Sequence, residues 1–413
     1  MRRFSILLCV LSLPYAVATA APDDAALAHA RAILKSTILV DGHNDLPWTI
    51  HEDSKAPMDV DAYDLRKHTS GETDLARLKQ GQLRAQFWSI FVPGETKEGY
   101  AKMQLEQFDI AKRMIAKYPE AMELALSASD VRRIAAKGKV ASLLGIEGGH
   151  VLENSLGALR AYYDLGARYM TLTHNVTLEW ADAAMDEPHH HGLTPFGKEV
   201  VREMNRLGML VDISHVTPEV MRDALDVSVA PVIFSHSSAY ALVDHVRNVP
   251  DAILKRMADN GGVVMVTFIQ PFVNRDAQAW SAELERQLKG VAEDAEYNRL
   301  EQAYIQQHGP SPKARLKDVA DHIDYVARVA GHDHVGIGGD FGGETMPEGL
   351  EDVSKYPGLF AELIRRGWSD ADLKKLAGEN VLRTLEQAER VAKRLQKDHP
   401  PSTATIAKLD GKK

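Results

Sequence analysis

The amino-acid sequence predicts an α/β protein built as a (β/α)8 TIM barrel. Eight short β-rich runs alternate with helical patterns along the chain, and this alternation is typical of a parallel sheet with helices packed around it. Most of the runs are apolar on both faces, as expected of strands buried between a core and an outer layer of helices. Six of the eight end in a histidine or a carboxylate, which indicates where a functional site would lie.

The predicted strands are Thr37–Asp41, Ala85–Val92, Val140–Ile146, Ala167–Thr173, Met209–Ser214, Pro231–Ser235, Gly262–Phe268 and Val335–Gly339. Two segments that follow the first and seventh strands, residues 42–84 and 275–310, are long, and we expect them to fold over the mouth of the barrel.

Helix-start signals fall between these strands. Thr194-Pro195 and Thr217-Pro218 each predict an N-cap followed by proline at the first helical position. Ser311-Pro312 predicts the start of another helix, which would end at Gly331.

The chain divides into three predicted parts. Residues 1–20 have a positive start, an apolar run and a small-residue ending at Ala20, as in a cleaved secretory signal peptide. Residues 21–398 form the barrel domain, and residues 399–413 form a polar tail that we expect to be loose. The sequence therefore predicts a periplasmic or secreted protein. Its single cysteine, Cys9, lies in the signal peptide, so the mature chain would contain no disulfide.

Composition narrows the range of partners. The 413 residues carry a formal net charge of -9, which argues against a nucleic-acid-binding protein and against attraction to anionic membranes. After the signal peptide, no run of 18 apolar residues follows. We therefore expect no nucleic-acid partner and no membrane anchor in the mature chain.

The strand ends carry the predicted chemistry. In a barrel the carboxyl ends of all strands meet on one face, where barrel enzymes have their active sites. Imidazoles and carboxylates are the usual oxygen and nitrogen ligands of Zn²⁺. The residues of this kind that follow predicted strands are His43, Asp45, Glu147, His150, His174, His215, His236 and Asp340.

Their spacing predicts a site for two metal ions, as in metal-dependent hydrolases. His43 and Asp45 lie two residues apart on an extended chain and can hold one ion. His215 and His236 follow adjacent strands and can hold a second, while Glu147 can bridge the two ions. Two ions about 3.5–4 Å apart can share a hydroxide that acts as the nucleophile at neutral pH.

Three other features receive weaker interpretations. The run His189-His190-His191 follows Glu187-Pro188 and is interpreted as a solvated loop. The glycine-rich segment 336–343 lacks the ending of a phosphate-binding loop, and its glycines are expected to let backbone pass close to a substrate. His150 is interpreted as a group that supports the metal ligands.

The motifs at the strand ends resemble those of the membrane dipeptidase (renal dipeptidase) family, in an exported form without cysteines in the mature chain. The similarity extends from about Thr37 to Gln387, and its most specific segments are Asp41 to Pro47, Gln86 to Ser89, Ile146 to His150, Leu172 to Asn175, Pro231 to Tyr240, Arg247 to Pro250 and Gly338 to Phe341.

The resemblance implies a zinc dipeptidase with two Zn ions per chain. It assigns the ligands His43, Asp45, Glu147, His215 and His236 as above, with Glu147 also among the catalytic residues. His174 would stabilise the oxyanion, and Asp340 would accept the proton of the attacking water and pass it to the leaving amine. Arg247 would bind the C-terminal carboxylate of the dipeptide. The family also suggests a homodimer, which without cysteine would be non-covalent.

Specificity stays open at this stage. The chain has Ile269 where the family usually has tyrosine, and Gly342 where it usually has aspartate. Some family members accept a D-residue at the C-terminal position, and some hydrolyse β-lactams. Two alternatives also remain: another metal-dependent amidohydrolase, acting on N-acyl amino acids or cyclic amides, and an exported binding protein without catalytic activity.

Overall fold

The computed structural model describes residues 22–96, 99–291, 294–343 and 345–411. The predicted signal peptide, residues 1–20, lies outside the described residues.

A closed parallel barrel forms the centre of the molecule. Its strands follow the spatial order β1-β2-β4-β5-β6-β7-β8-β9, and a parallel bridge between Asn44 and Phe341 joins the last strand to the first. All eight predicted strands are confirmed, with shorter bounds for most of them. The strands are β1 (Leu39–Asn44), β2 (Leu83–Phe91), β3 (Met122–Leu124), β4 (Val140–Glu147), β5 (Ala167–Thr171), β6 (Leu210–Asp212), β7 (Ile233–Phe234), β8 (Val263–Val266) and β9 (Val335–Ile337).

The short strand β3 was not predicted. It pairs in parallel with the start of β4, outside the closed path of the barrel.

Helices surround the barrel on its outer face. They are α1 (Pro22–Ser36), α2 (Leu46–His51), α3 (Leu75–Gln80), α4 (Tyr100–Lys117), α5 (Ala128–Ala136), α6 (Leu156–Asp164), α7 (Pro195–Leu207), α8 (Pro218–Val227), α9 (Asp251–Asn260), α10 (Gln270–Val273), α11 (Arg275–Leu288), α12 (Asp294–His308), α13 (Leu316–Ala330), α14 (Tyr356–Arg365), α15 (Asp370–Lys374), α16 (Asn380–Asp398) and α17 (Ile406–Asp410). None of the described helices is long and apolar enough to cross a membrane.

Two predicted helix starts are confirmed and one is wrong. The hydroxyls of Thr194 and Thr217 accept hydrogen bonds from backbone N–H groups in the first turns of α7 and α8. The helix expected at Ser311-Pro312 instead begins at Leu316. The Asp318 carboxylate accepts a 2.7 Å hydrogen bond from the backbone N–H of Arg315, and this bond fixes the start of α13 at the later position.

The interior of the barrel is closed at the amino end of the strands. A core cluster joins inward-facing side chains such as Phe87, Leu143 and Ile233 with Val381 and Leu385 of α16. α16 thus covers the amino end of the barrel, opposite the face on which the predicted site residues would lie.

The C-terminal tail differs from its prediction. Residues 399–411 pack against α7 instead of being loose, and they end in the helix α17, which buries Ile406. The Asp410 carboxylate accepts hydrogen bonds from the Thr194 hydroxyl at 2.6 Å and from the Phe196 backbone N–H at 3.0 Å. The polar composition gave no sign of this contact, because Asp410 stabilises a helix N-terminus 216 residues away along the chain.

Replacing Asp410 with alanine should lower the free energy of unfolding by about 1–2 kcal/mol, because α7 loses a charged group at its N-terminus. Urea unfolding followed by circular dichroism would measure the difference. Asp398→Ala, at the exposed end of α16, is the matched control, and an equal effect of both variants would contradict this role of Asp410.

The two long segments lie at the mouth of the barrel, as predicted. Trp48 and Glu52 from the first segment, and Ser281 and Glu285 from the second, line the cavity at the carboxyl ends of the strands. In the second segment α11 and α12 pack on each other through a small core of their own, which contains Leu284, Leu288 and Tyr304 together with the half-buried Trp280, Tyr297 and Leu300.

Candidate metal centre and substrate cavity

The predicted site residues meet in one cavity of about 370 Å³ at the carboxyl ends of the strands. Its lining residues include Asp45, Trp48, Glu52, Phe91, Glu147, His174, Asn175, Met185, His215, His245, Arg247, Ile269, Pro271, Phe272, Ser281, Glu285, Asp340, Gly342 and Gly343. His43 and His236 lie directly beneath this cavity and are fully buried or nearly so.

His43, Asp45 and Glu147 form the first group of candidate ligands. The Nε2 atom of His43 lies 3.4 Å from Oδ1 of Asp45 and 3.3 Å from Oε2 of Glu147. The Ser89 hydroxyl donates a 3.0 Å hydrogen bond to the same Glu147 oxygen and so holds its orientation.

His215 and His236 form the second group, on the other side of Glu147. Oε1 of Glu147 lies 3.1 Å from Nε2 of His215 and 3.5 Å from Nε2 of His236. One oxygen of this carboxylate therefore faces His43, and the other faces His215 and His236. This is the arrangement expected of a group that bridges two ions.

Hydrogen bonds on the far side of each ring direct all three Nε2 atoms into the centre. Nδ1 of His43 donates to the Tyr169 hydroxyl at 2.8 Å, and this hydroxyl donates to the Gly42 carbonyl. Burial raises the pKa of Tyr169, so its hydroxyl remains protonated at neutral pH.

The other two rings are held in the same way. Nδ1 of His215 donates to Oδ1 of Asn175 at 3.1 Å. Nδ1 of His236 donates to the Ser235 hydroxyl at 2.8 Å, and that hydroxyl donates to the Asp212 carboxylate. In each case this partner favours a proton on Nδ1, which would leave the Nε2 lone pair for a metal.

The donor set fits Zn²⁺ or a similar ion. Nε2 of His215 and Nε2 of His236 lie only 2.7 Å apart, and two lone pairs that face each other at this distance repel unless a cation is shared. Nε2 of His43 is buried and has no hydrogen-bond partner among the described residues. Imidazole nitrogens together with carboxylate oxygens are the usual ligands of zinc in catalytic sites.

Asp340 lies at the edge of the cluster, with Oδ1 3.7 Å from Nε2 of His43. Burial raises the pKa of the Asp340 carboxyl well above its usual value, and the nearby carboxylates of Asp45 and Glu147 raise it further. Together with His43 and His236 it forms another group whose ligand atoms lie within 4.8 Å of one another. Asp340 is thus close enough to the centre either to bind a metal or to exchange a proton there.

The backbone is strained at two of these strand ends. His215 has φ 68° and Asp340 has φ 65°, in the left-handed region that residues with a side chain rarely adopt. Such strain persists only where the surrounding structure fixes the residue, and it is concentrated at functional sites.

His174 and Arg247 form the wall of the cavity above the ligands. Nε2 of His174 lies 3.9 Å from Oε1 of Glu147, and its ring packs edge-on against Phe91. Burial lowers the pKa of His174, so the ring is neutral and able to donate one proton. Burial also lowers the pKa of Arg247 to about 10, which leaves its guanidinium charged at neutral pH.

Sequence reasoning missed several residues that support the site. Tyr169, Asn175, Asp212 and Ser235 orient the imidazoles, and Phe91 packs against His174. The available signal was a buried polar side chain within or just after an apolar strand, as for Asp212 in the run from Leu210 to His215.

His150 and the histidine run at 189–191, which the sequence analysis singled out, lie outside the metal centre. Nε2 of His150 bonds to the Val92 carbonyl at 2.9 Å, so it does not orient a ligand directly. The loop at 189–191 is held by the Asp182 carboxylate, which accepts from backbone N–H groups of that loop.

The glycines of segment 336–343 were expected to let backbone pass close to a substrate. Gly338 has another role, because a Cβ added there would lie 1.8 Å from the Ser235 carbonyl oxygen. Close approach of two strands requires this glycine, whereas Gly342 and Gly343 do line the cavity as expected.

Comparison with known proteins agrees with this geometry. The sequence profile of the family described as membrane dipeptidase (Peptidase family M19) matches residues 27–399. The probable dipeptidase PvdM from Pseudomonas aeruginosa is 26% identical, with a TM-score of 0.79, over 89% of this chain and 100% of that chain. The metallopeptidase called dipeptidase AC is 25% identical, with a TM-score of 0.70, over 85% of this chain and 98% of that one.

A third structure shares the fold. The metallopeptidase from Rhodobacter sphaeroides, liganded with a phosphinate mimic of the dipeptide L-Ala-D-Ala, is 24% identical. Its TM-score is 0.71, over 85% of this chain and 99% of that chain.

Proposed function

Because this chain belongs to the membrane dipeptidase family and is a metallodipeptidase, we propose that it hydrolyses free dipeptides with two zinc ions per chain. The observation that carries the proposal is the position of Glu147, one of whose carboxylate oxygens faces His43 and the other His215 and His236. Dipeptides with a C-terminal D-residue are included in the proposed substrates, since the similar Rhodobacter sphaeroides enzyme binds a mimic of L-Ala-D-Ala.

Five residues would hold the ions. His43 and Asp45 would bind one, His215 and His236 the other, and Glu147 would bridge them. When bound, the ions would supply an activated water, or hydroxide, as nucleophile and polarise the peptide carbonyl.

The residues above the centre would act on the substrate itself. His174, neutral and protonated on one nitrogen, would donate a hydrogen bond to the oxygen on which negative charge develops. Asp340, at the edge of the ligand cluster, would accept a proton from the attacking water and deliver it to the leaving amine.

Arg247 would bind the C-terminal carboxylate. Its guanidinium lies in the cavity wall, is almost fully buried and packs 5.4 Å from the centre of the Phe272 ring. No carboxylate forms a salt bridge with it among the described residues, so its charge is available for a substrate. A longer peptide would have no carboxylate at this distance from the metal centre.

Arg247→Ala should raise KM for Gly-Ala by about tenfold or more, because a charge-assisted hydrogen bond to substrate is worth about 1.5–3 kcal/mol. Steady-state kinetics of zinc-loaded enzyme would measure the effect. C-amidated Gly-Ala, which lacks the carboxylate, is the control and should resist the wild-type and variant enzymes alike. An unchanged KM and kcat for free Gly-Ala would contradict the assignment.

Hydrolysis of free and blocked dipeptides tests the function as a whole. We expect zinc-dependent cleavage of Gly-L-Ala or Gly-D-Ala that is lost on C-amidation. Cleavage of N-acetyl compounds alone would instead identify an N-acyl amino acid hydrolase. Absence of cleavage in protein shown to contain zinc would overturn the proposal in favour of a cyclic-amide substrate or a binding protein.

We also propose that the chain is exported. The predicted signal peptide at residues 1–20 would deliver it to the periplasm or outside the cell. A non-covalent homodimer is the oligomeric state expected from the family.

A further inference from the structure

A small side chamber of about 170 Å³ opens next to the substrate cavity. Four residues line both spaces, namely Met185, His245, Ser281 and Glu285. The chamber therefore adjoins the substrate cavity, and it is open to solvent because Asp244, Val246 and Glu285 are exposed.

We propose that this chamber binds the side chain of the C-terminal residue of the dipeptide and selects a long side chain that ends in a cation, such as that of lysine or ornithine. The inference rests on the proposed dipeptidase function and adds a substrate class to it.

The position of the chamber assigns it to the C-terminal residue. Three of its lining residues, Asp244, His245 and Val246, directly precede Arg247 in the chain. The backbone N–H of Arg247 donates a 3.1 Å hydrogen bond to Nδ1 of His245, which fixes the chamber relative to the guanidinium. A substrate whose carboxylate is held by Arg247 would thus have its C-terminal side chain beside this opening.

The size of the chamber suits a side chain of four or five atoms. A water molecule takes up about 30 Å³ in the liquid, so 170 Å³ corresponds to about five or six such volumes. Met185, Val246 and Ala282 supply apolar surface along the chamber. Lysine commonly packs its methylene groups on such a surface while its ammonium group stays in a polar environment.

The charge of the lining favours a cation. Asp244 and Glu285 contribute two carboxylates, and no lysine or arginine is present among the described residues that line the chamber. The Ser281 hydroxyl donates a 3.5 Å hydrogen bond to the Glu285 carboxylate, and no lysine or arginine of the described residues forms a salt bridge with it.

His245 leaves this negative charge uncompensated. Its ring packs 4.3 Å from that of Phe272, and burial lowers the pKa of His245 to about 4, with the charge of Arg247 as a further cause. The ring is therefore neutral at neutral pH.

The test compares two dipeptides that differ only in the terminal cation. Zinc-loaded wild-type enzyme would be assayed with Ala-Lys and Ala-norleucine, each with an L- and a D-configured C-terminal residue. We expect kcat/KM for the lysine compound to be about three- to tenfold higher, the scale of two partly exposed charge interactions. The ratio should decline at 1 M salt, because screening weakens such interactions.

Charge-removing variants identify the residues responsible. Asp244→Asn combined with Glu285→Gln should bring the lysine-to-norleucine ratio close to one. Glu283→Gln is the matched control, because Glu283 lies on the same helix but pairs with Arg286 outside the chamber, and it should leave the ratio unchanged. Circular dichroism would establish that the variants are folded.

The outcomes separate this inference from the proposed function. Equal hydrolysis of both dipeptides by the wild-type enzyme, or a ratio that the double variant leaves unchanged, would overturn the side-chain assignment alone. Lys-Ala carries the cation on its N-terminal residue. A preference for lysine that is seen only with Lys-Ala, and not with Ala-Lys, would also overturn the side-chain assignment. Absence of hydrolysis of any dipeptide, including Gly-Ala, would overturn the proposed function.

Discussion

Replacing Glu147 with glutamine is expected to remove at least one bound zinc and to lower kcat/KM by about a thousandfold or more. The amide retains the size of the side chain but offers only one oxygen, so it cannot serve both groups of candidate ligands. The expected loss is large because a bound zinc ion lowers the pKa of its water far below that of free water, to about 7.

Metal content and kinetics of the same preparation would test this expectation. Elemental analysis would give zinc per chain, and steady-state hydrolysis of Gly-Ala would give kcat/KM. Glu106→Gln, which changes a half-buried carboxylate on α4 paired with Lys102, is the control. A Glu147→Gln enzyme with two zinc ions and normal turnover would exclude a bridging role.

Asp340→Asn is expected to lower kcat by about a hundredfold or more, which is the usual scale for loss of a general acid–base group. Asparagine has nearly the same shape but cannot accept the proton of the attacking water. KM should change little, because the C-terminal carboxylate is assigned to Arg247 and the oxyanion to His174.

The zinc content of the Asp340→Asn enzyme distinguishes the two roles that the position of Asp340 allows, namely metal binding and proton transfer. Oδ1 of Asp340 lies 3.7 Å from Nε2 of His43, close enough to bind a metal directly. An Asp340→Asn enzyme that keeps two zinc ions but turns over slowly would support proton transfer. Loss of zinc would make Asp340 a ligand, and near-normal turnover would contradict both roles.

The barrel could be predicted because its signals are local. Each of the eight barrel strands is an apolar run bounded by polar residues, and β-rich composition is sufficient to identify such a run. β3 was not predicted because it has only three residues, Met-Glu-Leu, and only one of them is buried. Pairing with the start of β4, rather than its own composition, makes it a strand.

The remaining differences depend on contacts between distant parts of the chain. The tail was expected to be loose because its residues are polar, yet Asp410 bonds to the start of α7. The start of α13 was misplaced because Ser-Pro is a common N-terminal signal, whereas the hydrogen bond from Arg315 to Asp318 decides the boundary. Local composition contains no information about the first of these contacts and little about the second.

The candidate site, like the fold, could be predicted from the sequence only in part. The candidate ligands could be identified because they follow strands that all end on one face. Their orientation could not, because it depends on partners such as Tyr169 and Asp212 that are far from the ligands in sequence or hidden within strands. The left-handed backbone of His215 and Asp340 was equally unpredictable, since neither residue is a glycine or an asparagine.

The packing of the helix pair α11 and α12 bears on how the substrate cavity of such an enzyme can change in evolution. The pair supplies Ser281 and Glu285 to the cavity wall, yet its apolar side chains pack mainly on one another around Trp280 and Tyr304. Part of the cavity wall is therefore encoded in a stretch of the chain separate from the core of the barrel. Substitutions in this helix pair can alter that wall while the candidate ligands at the strand ends stay unaltered.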